Sequence, residues 1–147
     1  MSETEFDFTG KNLIVLGAAG HLGRNLCARL TSLGANLVLI DKNKVGLDEL
    51  KSSLSGSESP YIRTIGCDLE EEGHRTEAFS DLIKIYSEVH GLINCASFVG
   101  DSKLPGWNVA FENQSIDTWR RAIEVNLTSI FEICQILTPS LKKAKGA

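Results

Sequence analysis

Short, continuous apolar runs alternate along the chain with longer stretches in which apolar residues recur every three or four positions. Continuous runs of this kind are typical of parallel strands that are covered on both faces. They predict strands at 11–16, 35–40, 61–67 and 92–96. The stretches between them predict three helices: one with Leu22, Leu26, Leu30 and Leu33 on one face, closed by Gly34, one over 43–54 and one over 70–89.

Two segments have the composition of loops rather than of strands or helices. Residues 55–60 are nearly all turn formers, and residues 98–114 contain Pro105 and further turn formers without a clear periodicity. Asp68 followed by Glu71 three residues later suits a capping box at the start of the third helix.

A long helix is predicted for the end of the chain. Ser115 is a suitable N-cap for it, and Pro139 is expected to disturb its end. Its apolar residues step along one face, namely Ile116, Trp119, Ile123, Leu127, Ile130, Cys134 and Leu137.

The alternation of strand and helix, repeated four times, predicts an α/β fold. Each strand–helix–strand unit requires a right-handed crossover, which builds a parallel sheet with helices on both faces. In the doubly wound arrangement the four strands lie in the order 3-2-1-4. Since no repeat or long linker divides the sequence, we expect one domain over residues 1–147.

Composition and charge exclude several classes of protein. Of the 147 residues, 42% are hydrophobic and 23% charged, which excludes collagen-like and disordered chains. Every apolar run is shorter than the ~18 residues of a transmembrane helix, and the acidic N-terminus does not resemble a secretory signal. The net charge of −4, without a basic stripe, makes nucleic acid and membranes poor candidates as partners.

The cysteines favour a cytoplasmic protein. They lie at positions 27, 67, 95 and 134, widely spaced and without a Cys-x-x-Cys pair. Because a zinc site requires closely spaced Cys or His ligands, we expect no metal site. Scattered reduced thiols are the expected state of such residues.

A glycine-rich loop joins the first strand to the first helix. Residues 17–23 read GAAGHLG, with the spacing Gly-x-x-Gly-x-x-Gly. Such a turn lets the backbone approach a pyrophosphate, and the helix N-terminus offers free N–H groups and a positive dipole end. This indicates a dinucleotide-binding loop, in which His21 either contacts phosphate or points to solvent. The expected contact residues are Gly17, Ala19, Gly20, His21, Leu22 and Gly23.

Asp41 ends the second predicted strand, 18 residues after Gly23. This is close to the ~20-residue offset of the acid that binds the adenosine ribose in dinucleotide-binding folds. A carboxylate there accepts hydrogen bonds from ribose hydroxyls and repels a 2′-phosphate, so it favours NAD over NADP. Lys42 weakens this preference because it could pair with a phosphate, and a solvated turn aspartate remains the alternative.

Several segments resemble the short-chain dehydrogenase/reductase family, in the order in which that family carries them. Residues 9–17 resemble its opening strand, and the glycine-rich loop follows. Residues 67–69 resemble the segment that lines its adenine pocket, 94–97 its Asn-Asn-Ala-Gly segment, and 119–127 its active-site helix. The resemblance spans Thr9 to Gly146 and implies a Rossmann-like doubly wound parallel sheet, truncated after four strands.

The resemblance implies roles at the ends of the third and fourth strands. Asp68, between Cys67 and Leu69, is expected near the adenine amine, although it could also serve as a helix cap. Asn94 would steady the central sheet, and Ala96 would pass under the cofactor ribose.

Some positions depart from the family pattern. Cys95 and Ser97 replace an Asn and a Gly in the segment after the fourth strand. The glycine spacing is that of the extended branch, which modifies nucleotide sugars, whereas the rest resembles the shorter branch. The loop 100–107 is longer than expected and could either cover a substrate pocket or extend into solvent.

Part of the family's catalytic set is missing from the sequence. Asn126 matches the asparagine that holds a water molecule in a proton relay, although it could also be a polar residue in a helix interior. The family also uses Tyr with Lys four residues later for proton transfer. Here Tyr61 and Tyr86 are followed four residues later by Ile65 and His90, so that pair is absent.

We therefore expect these residues to form the cofactor-binding half of an enzyme that is inactive without the remainder. The leading hypothesis is an NAD-dependent oxidoreductase acting on a small, possibly sugar-related, alcohol or carbonyl compound. Alternatives are a non-catalytic dinucleotide-binding or regulatory module and a nucleotide-sugar epimerase or dehydratase. In the family the last helix helps to form a dimer, which implies a homo-oligomer through that helix.

Overall fold

The computed structural model describes residues 6–56, 60–99 and 104–147. Its four strands form one parallel sheet in the order β3-β2-β1-β4, which confirms the predicted order. In register, Ile14 lies between Val38 on one side and Leu92 on the other. The strands are β1 (Asn12–Leu16), β2 (Asn36–Asp41), β3 (Ile62–Gly66) and β4 (Gly91–Asn94).

Within the described residues, five α-helices accompany the sheet. A π-helical turn, Glu124–Thr128, joins the last two, and a 3-10 turn, Phe111–Asn113, precedes them. Among the described residues, none of the helices is long and apolar enough to cross a membrane. The helices are α1 (His21–Ser32), α2 (Lys44–Leu54), α3 (Glu72–Ile85), α4 (Ile116–Ile123) and α5 (Ser129–Ala144).

The two central strands of the sheet, β1 and β2, are buried on both faces, as the continuous apolar runs predict. Successive side chains of a strand point to opposite faces. Leu13 and Val15 of β1 pack in one core with α1 and α2, whereas Ile14 and Leu16 pack in another with α3 and α5.

The end of α1 matches its prediction. Gly34 has a positive φ of 85°, and its N–H donates to the Thr31 carbonyl at 3.0 Å. The next N–H, of Ala35, donates to the Leu30 carbonyl at 3.1 Å. These two bonds form a Schellman motif, which satisfies carbonyls at the helix end.

The capping box predicted for α3 is wrong. The helix begins at Glu72, and its N-cap residue Glu71 makes no capping hydrogen bond through its side chain within the described residues. Asp68 instead accepts a hydrogen bond from the Glu70 N–H at 3.1 Å. The chain uses residues 68–71 to turn away from β3, so helical geometry starts later than the spacing suggests. The helix also ends at Ile85 rather than at residue 89.

The predicted disturbance at Pro139 is also wrong, because α5 continues through it to Ala144. Proline removes one N–H and so leaves the carbonyl four residues earlier without a helical donor. That carbonyl belongs to Gln135, and both residues are exposed, so water can satisfy it. The predicted N-cap of α4 is confirmed, since the Ser115 Oγ accepts from the Thr118 N–H at 3.3 Å.

The apolar residues predicted to share one face of the last helix do not share one environment. Leu137 is fully buried in the core, whereas Trp119 is 56% and Leu127 62% exposed. The π turn adds a residue to one helical turn and so rotates the faces of α4 and α5 relative to each other. On the inner side, the buried residues are Thr118, Ala122, Ser129, Ile133, Leu137 and Ser140.

The last residue of the chain lies beside β4. The Ala147 N–H donates to the His90 carbonyl at 3.3 Å, and the Leu92 N–H donates to the Ala147 carbonyl at 2.9 Å. This is the hydrogen-bond pattern of a parallel strand pair. In the four-stranded sheet, β4 otherwise forms the edge next to β1.

Candidate dinucleotide-binding site

A cavity of about 360 Å³ opens at the carboxyl ends of all four strands. In open α/β sheets, ligands bind at this edge, where the strand order reverses. The order β3-β2-β1-β4 places that reversal between β1 and β4. The sequence-predicted residues that line the cavity are Gly17, Gly20, His21, Asp41, Cys67, Asp68, Leu69, Cys95 and Ala96.

The glycine-rich loop is packed too tightly for side chains at two of its positions. A Cβ atom on Gly17, whose φ is 69°, would lie 2.5 Å from the Ala96 nitrogen. A Cβ atom on Gly23 would lie 2.2 Å from the Gly17 carbonyl oxygen. Gly20, the N-cap of α1, has no side chain to occupy the first turn. The backbone at the start of α1 is therefore open to a ligand, as anion binding at a helix N-terminus requires.

Asp41 connects the end of β2 to the glycine-rich loop. One carboxylate oxygen accepts a hydrogen bond from the Ala19 N–H at 3.0 Å, and the other accepts from the Asn43 N–H at 2.9 Å. Each oxygen has a second lone pair, so the carboxylate can still accept a ligand hydroxyl. Lys42 follows it, is exposed and also lines the cavity.

Cys67, Asp68 and Leu69 form one wall of the cavity. Cys67 is 2% exposed, and burial raises the pKa of its thiol to about 11. The thiol therefore remains protonated and apolar near neutral pH. The Cys67 N–H donates to the Asp41 carbonyl at 3.0 Å, which extends the pairing of β2 with β3 by one step.

The opposite wall follows β4. Ala96, Ser97, Phe98 and Val99 line the cavity from this side. Asn94 is exposed, and its side chain accepts a hydrogen bond from the Ala96 N–H at 3.0 Å, which shapes the turn after the strand.

Asn126 lies in the π turn and contacts the cavity through Phe98. Its Oδ1 accepts from the Phe98 N–H at 2.7 Å, and its Nδ2 donates to the Phe98 carbonyl at 3.1 Å. Its neighbour Val125 lines the cavity directly. Single π turns within α-helices are frequent at functional sites.

The remaining predicted residues lie around the cavity rather than on its surface. Ala19 acts through its N–H on Asp41, and Gly23 is buried beneath the loop. Leu22 is 66% exposed instead of packing with the other leucines of α1. It belongs to the first turn of the helix, beside the loop, and is not among the α1 residues packed in the core.

Sequence analysis missed Arg75, which is 2% exposed in α3. Its guanidinium donates to Glu124 at 2.7 Å, to Glu132 at 2.6 Å and to the Leu69 carbonyl at 2.6 Å. A signal was present, because Arg75 lies four residues before Phe79 on the buried face of α3.

Two further contacts join the walls near Phe98. Arg121 forms two hydrogen bonds to Glu70, of 2.5 and 3.1 Å, and lies 5.1 Å from the centre of the Phe98 ring. Trp107 meets the same ring edge-on at 5.7 Å. The long loop predicted at 100–107 thus reaches this site through Trp107, although residues 100–103 lie outside the described residues.

A second cavity of about 600 Å³ adjoins the first along the outer side of β3. It shares Lys42, Cys67 and Asp68 with the first cavity and adds the basic residues Lys44 and Arg63. Among the described residues, no group of three His, Cys, Asp or Glu side chains could hold a metal ion.

Comparison with known proteins points to one family. The family model for short chain dehydrogenase matches residues 11–147. A D-threitol dehydrogenase of Mycolicibacterium smegmatis is 26% identical over 144 residues, which cover 97% of this chain and 52% of that protein. An L-fucose dehydrogenase of Mus musculus is 24% identical, over 95% of this chain and 47% of that protein. The chain spans about half the length of the curated relatives it matches.

Solved structures share the same fold. A short-chain dehydrogenase/reductase of Brucella melitensis, a glucose/ribitol dehydrogenase by name, has a TM-score of 0.76 at 28% identity. The match covers 92% of this chain and 54% of that protein. An NAD⁺-bound xylitol dehydrogenase has a TM-score of 0.80 at 20% identity, and the match covers 97% of this chain and 52% of that protein. A metagenomic short-chain oxidoreductase in complex with NADP has a TM-score of 0.81 at 19% identity, and the match covers 95% of this chain and 60% of that protein. At such identities the last two show the fold alone.

Proposed function

Since the chain belongs to the short-chain dehydrogenase family, we propose that it is the cofactor-binding half of an oxidoreductase. The reaction would transfer hydride between a nicotinamide dinucleotide and a small alcohol or carbonyl substrate. The observation that carries this proposal is the cavity at the strand ends, bounded by the glycine-rich loop and by Asp41. Residues 1–147 would then form one dinucleotide-binding domain.

The shape of the glycine-rich loop fits a pyrophosphate. Side chains at Gly17 and Gly23 would collide with neighbouring backbone, so the close approach depends on glycine. The helix N-terminus behind the loop favours an anion. The adenosine ribose would lie at Asp41 and the adenine against Cys67–Leu69, with Ala96 beneath the second ribose. When bound, the dinucleotide would supply the hydride donor or acceptor.

We propose NAD rather than NADP as the preferred cofactor. The Asp41 carboxylate is fixed by two backbone N–H groups, so it would stay close to the ribose and repel a 2′-phosphate. Lys42 and Arg63 in the adjoining cavity act in the opposite direction, because they attract such a phosphate. The family includes enzymes of both kinds, and the local balance of charge decides between them.

Asn126 is the catalytic residue that we assign to this chain, as the holder of a relay water. The sequence has no Tyr followed by Lys at the fourth position. We therefore expect residues 1–147 to bind cofactor without turning over substrate. A sugar or sugar alcohol is the favoured substrate class, since the relatives named above act on threitol and fucose.

The exposed apolar side chains of α4 and α5 support a homo-oligomer. Ile116, Trp119, Leu127 and Phe131 are each more than half exposed. Packing this face against the same face of a second copy would bury large apolar side chains that are solvent-exposed among the described residues. We also propose a cytoplasmic location, because the four cysteines are widely spaced and suit the reduced state.

The test is a fluorescence titration of the purified chain with NADH and with NADPH. We expect NADH to bind, and to bind about tenfold tighter than NADPH, a difference of ~1.4 kcal/mol. Equal affinities would contradict the proposed role of Asp41. A folded chain that binds neither dinucleotide would contradict the proposed function itself.

A second candidate is a non-catalytic dinucleotide-binding module, for which the cavity and the glycine-rich loop suffice without a Tyr–Lys pair. The two candidates differ in whether a protein that carries these residues turns over a substrate. Sugar-dependent reduction of NAD⁺ by that protein would support the oxidoreductase, and cofactor binding without any turnover would support the module. Isomerisation of a nucleotide sugar would instead support the epimerase alternative, which rests on the glycine spacing alone.

A further inference from the structure

Arg75 places a positive charge in the middle of an apolar helix face. It lies on α3 in line with Phe79 and Leu82, both fully buried, and is itself 2% exposed. Burial alone would lower the pKa of its guanidinium, but Glu132 and Glu124 together hold that pKa above its ordinary value. The side chain is therefore a permanent cation with three hydrogen-bond partners.

The three partners belong to three different segments. Nη1 donates to the Leu69 carbonyl in the turn after β3, and Nη2 donates to Glu124 in the π turn. Nε donates to Glu132 in α5. A planar guanidinium with fixed donor directions holds such partners at defined positions, which a flexible lysine ammonium does not.

Two of these segments form facing walls of the candidate site. Leu69 lines the cavity on the β3 side. On the other side, Glu124 is followed by Val125, which lines the cavity, and by Asn126, which holds Phe98. The Arg75 side chain thus ties both walls to α3.

Stability alone does not explain this arrangement. A buried ion pair contributes little net stability, and apolar residues of similar volume often replace it without loss. Glu124 and Glu132 are 33% and 26% exposed, so each carboxylate keeps part of its hydration. What the three bonds provide, and apolar packing would not, is a directional link from one guanidinium to a backbone carbonyl and two carboxylates in three different segments.

We propose that Arg75 is a positioning residue that sets the width of the dinucleotide cavity by holding Leu69 and the π turn at a fixed distance. This inference rests on the proposed function for its ligand. Without the guanidinium, the two walls separate or close independently, and the cavity no longer matches the dinucleotide before binding. Affinity then falls because ordering the walls opposes binding.

The decisive variant is the double substitution Arg75→Leu/Glu132→Leu, which replaces the buried ion pair by apolar side chains. Glu124, being partly exposed, can remain hydrated. We expect a folded protein whose thermal midpoint is close to that of the wild type and whose Kd for NADH is about tenfold higher. A matched control is Arg120→Leu/Asp117→Leu, which removes an exposed ion pair within α4 and should leave the Kd unchanged.

Hydrogen exchange gives a readout that does not depend on a ligand. In the ligand-free double variant, we expect amides of residues 69–71 and 124–129 to exchange about tenfold faster, while those of β1 and β2 keep their rates. This measurement separates the role of Arg75 from the proposed function. If the wild type fails to bind NADH, the proposed function is overturned, but the exchange rates still test whether Arg75 holds the two walls. Unchanged exchange in a stable double variant would overturn the role of Arg75.

Arg75→Lys covers the case in which the double variant does not fold. It keeps the charge near the two carboxylates but cannot reach three partners at once. We expect it to fold, to show faster exchange at residues 69–71 and to bind NADH more weakly. Wild-type exchange and affinity in this variant would show that a charge suffices and would overturn the positioning role.

Discussion

Asn126 pairs through its carboxamide with both backbone polar groups of Phe98. The two bonds, of 2.7 and 3.1 Å, link the π turn to the segment after β4. The Asn126 side chain is thereby occupied in fixing a wall residue. Oδ1 keeps a second lone pair and Nδ2 a second N–H, so the side chain can still bind the proposed relay water.

Asn126→Asp should disrupt this pairing. The substitution removes the Nδ2 donor and places a carboxylate oxygen next to the Phe98 carbonyl. Because Trp107 meets the Phe98 ring edge-on, we expect a shift in Trp107 emission, measured in a Trp119→Phe background. Asn113→Asp in the exposed 3-10 turn is the control. An emission spectrum identical to that of the parent would show that the two bonds do not hold Phe98.

Gly23→Ala should be damaging, whereas Gly73→Ala should be neutral or stabilising. A methyl group on Gly23 would lie 2.2 Å from the Gly17 oxygen, while one on Gly73 meets no atom within 4 Å. We expect Gly23→Ala to lower the free energy of unfolding by about 2 kcal/mol and to abolish NADH binding. Gly73→Ala, in a helix, should gain up to ~1 kcal/mol. Urea denaturation and NADH titration measure both, and equal effects would contradict the packing argument.

Asp41→Asn should weaken NADH binding and reduce the preference over NADPH. The asparagine keeps one acceptor oxygen but turns an NH₂ group toward one of the two N–H groups that Asp41 now binds. It also removes the charge that would repel a 2′-phosphate. The ratio of the two Kd values is the measurement, with Asp48→Asn on the exposed side of α2 as control. A ratio that does not move would show that Asp41 does not select the cofactor.

The protein should lose stability at alkaline pH through Cys27. Burial, with a smaller contribution from Cys95, raises the pKa of the Cys27 thiol from about 9 to about 12. The unfolded chain therefore releases this proton first. Stability is intact below pH 9 and falls between pH 9 and 12, by up to about 1.4 kcal/mol per pH unit.

Urea denaturation of the wild type and of Cys27→Ala at pH 8 to 11 measures this effect. The slope of unfolding free energy against pH should become shallower in Cys27→Ala, whatever its stability at pH 8. Cys134→Ala, at an exposed position, should keep the wild-type slope. Parallel slopes for wild type and Cys27→Ala would show that other groups cause the alkaline loss.

The sheet could be predicted from sequence because its signals are local and repeated. Each apolar run is short, and each is followed by a polar or glycine residue at the strand end, such as Gly17 or Asp41. The crossover rule then leaves few possible orders, and the observed order is one of them. The same reasoning places the cavity, because the residues that follow parallel strands meet at one edge.

Other features depend on contacts that sequence spacing does not encode. The π turn at Glu124–Thr128 has no composition signal, and it separates the exposure of Leu127 from that of Leu137. A charged residue is tolerated at the core position of Arg75 because two glutamates that are distant in sequence, Glu124 and Glu132, pair with it. The capping box failed because Asp68 bonds within its own turn rather than to the helix.

The pairing of Ala147 with β4 bears on how the protein should be handled. Ala147 lies along the sheet edge in parallel register with β4. An affinity tag placed after Ala147 would begin at the edge of β4, where a strand-forming sequence would pair with the sheet or with another molecule. Comparing the size in solution of a form tagged after Ala147 with that of an N-terminally tagged form would reveal whether the edge of β4 pairs with added residues or with a second molecule.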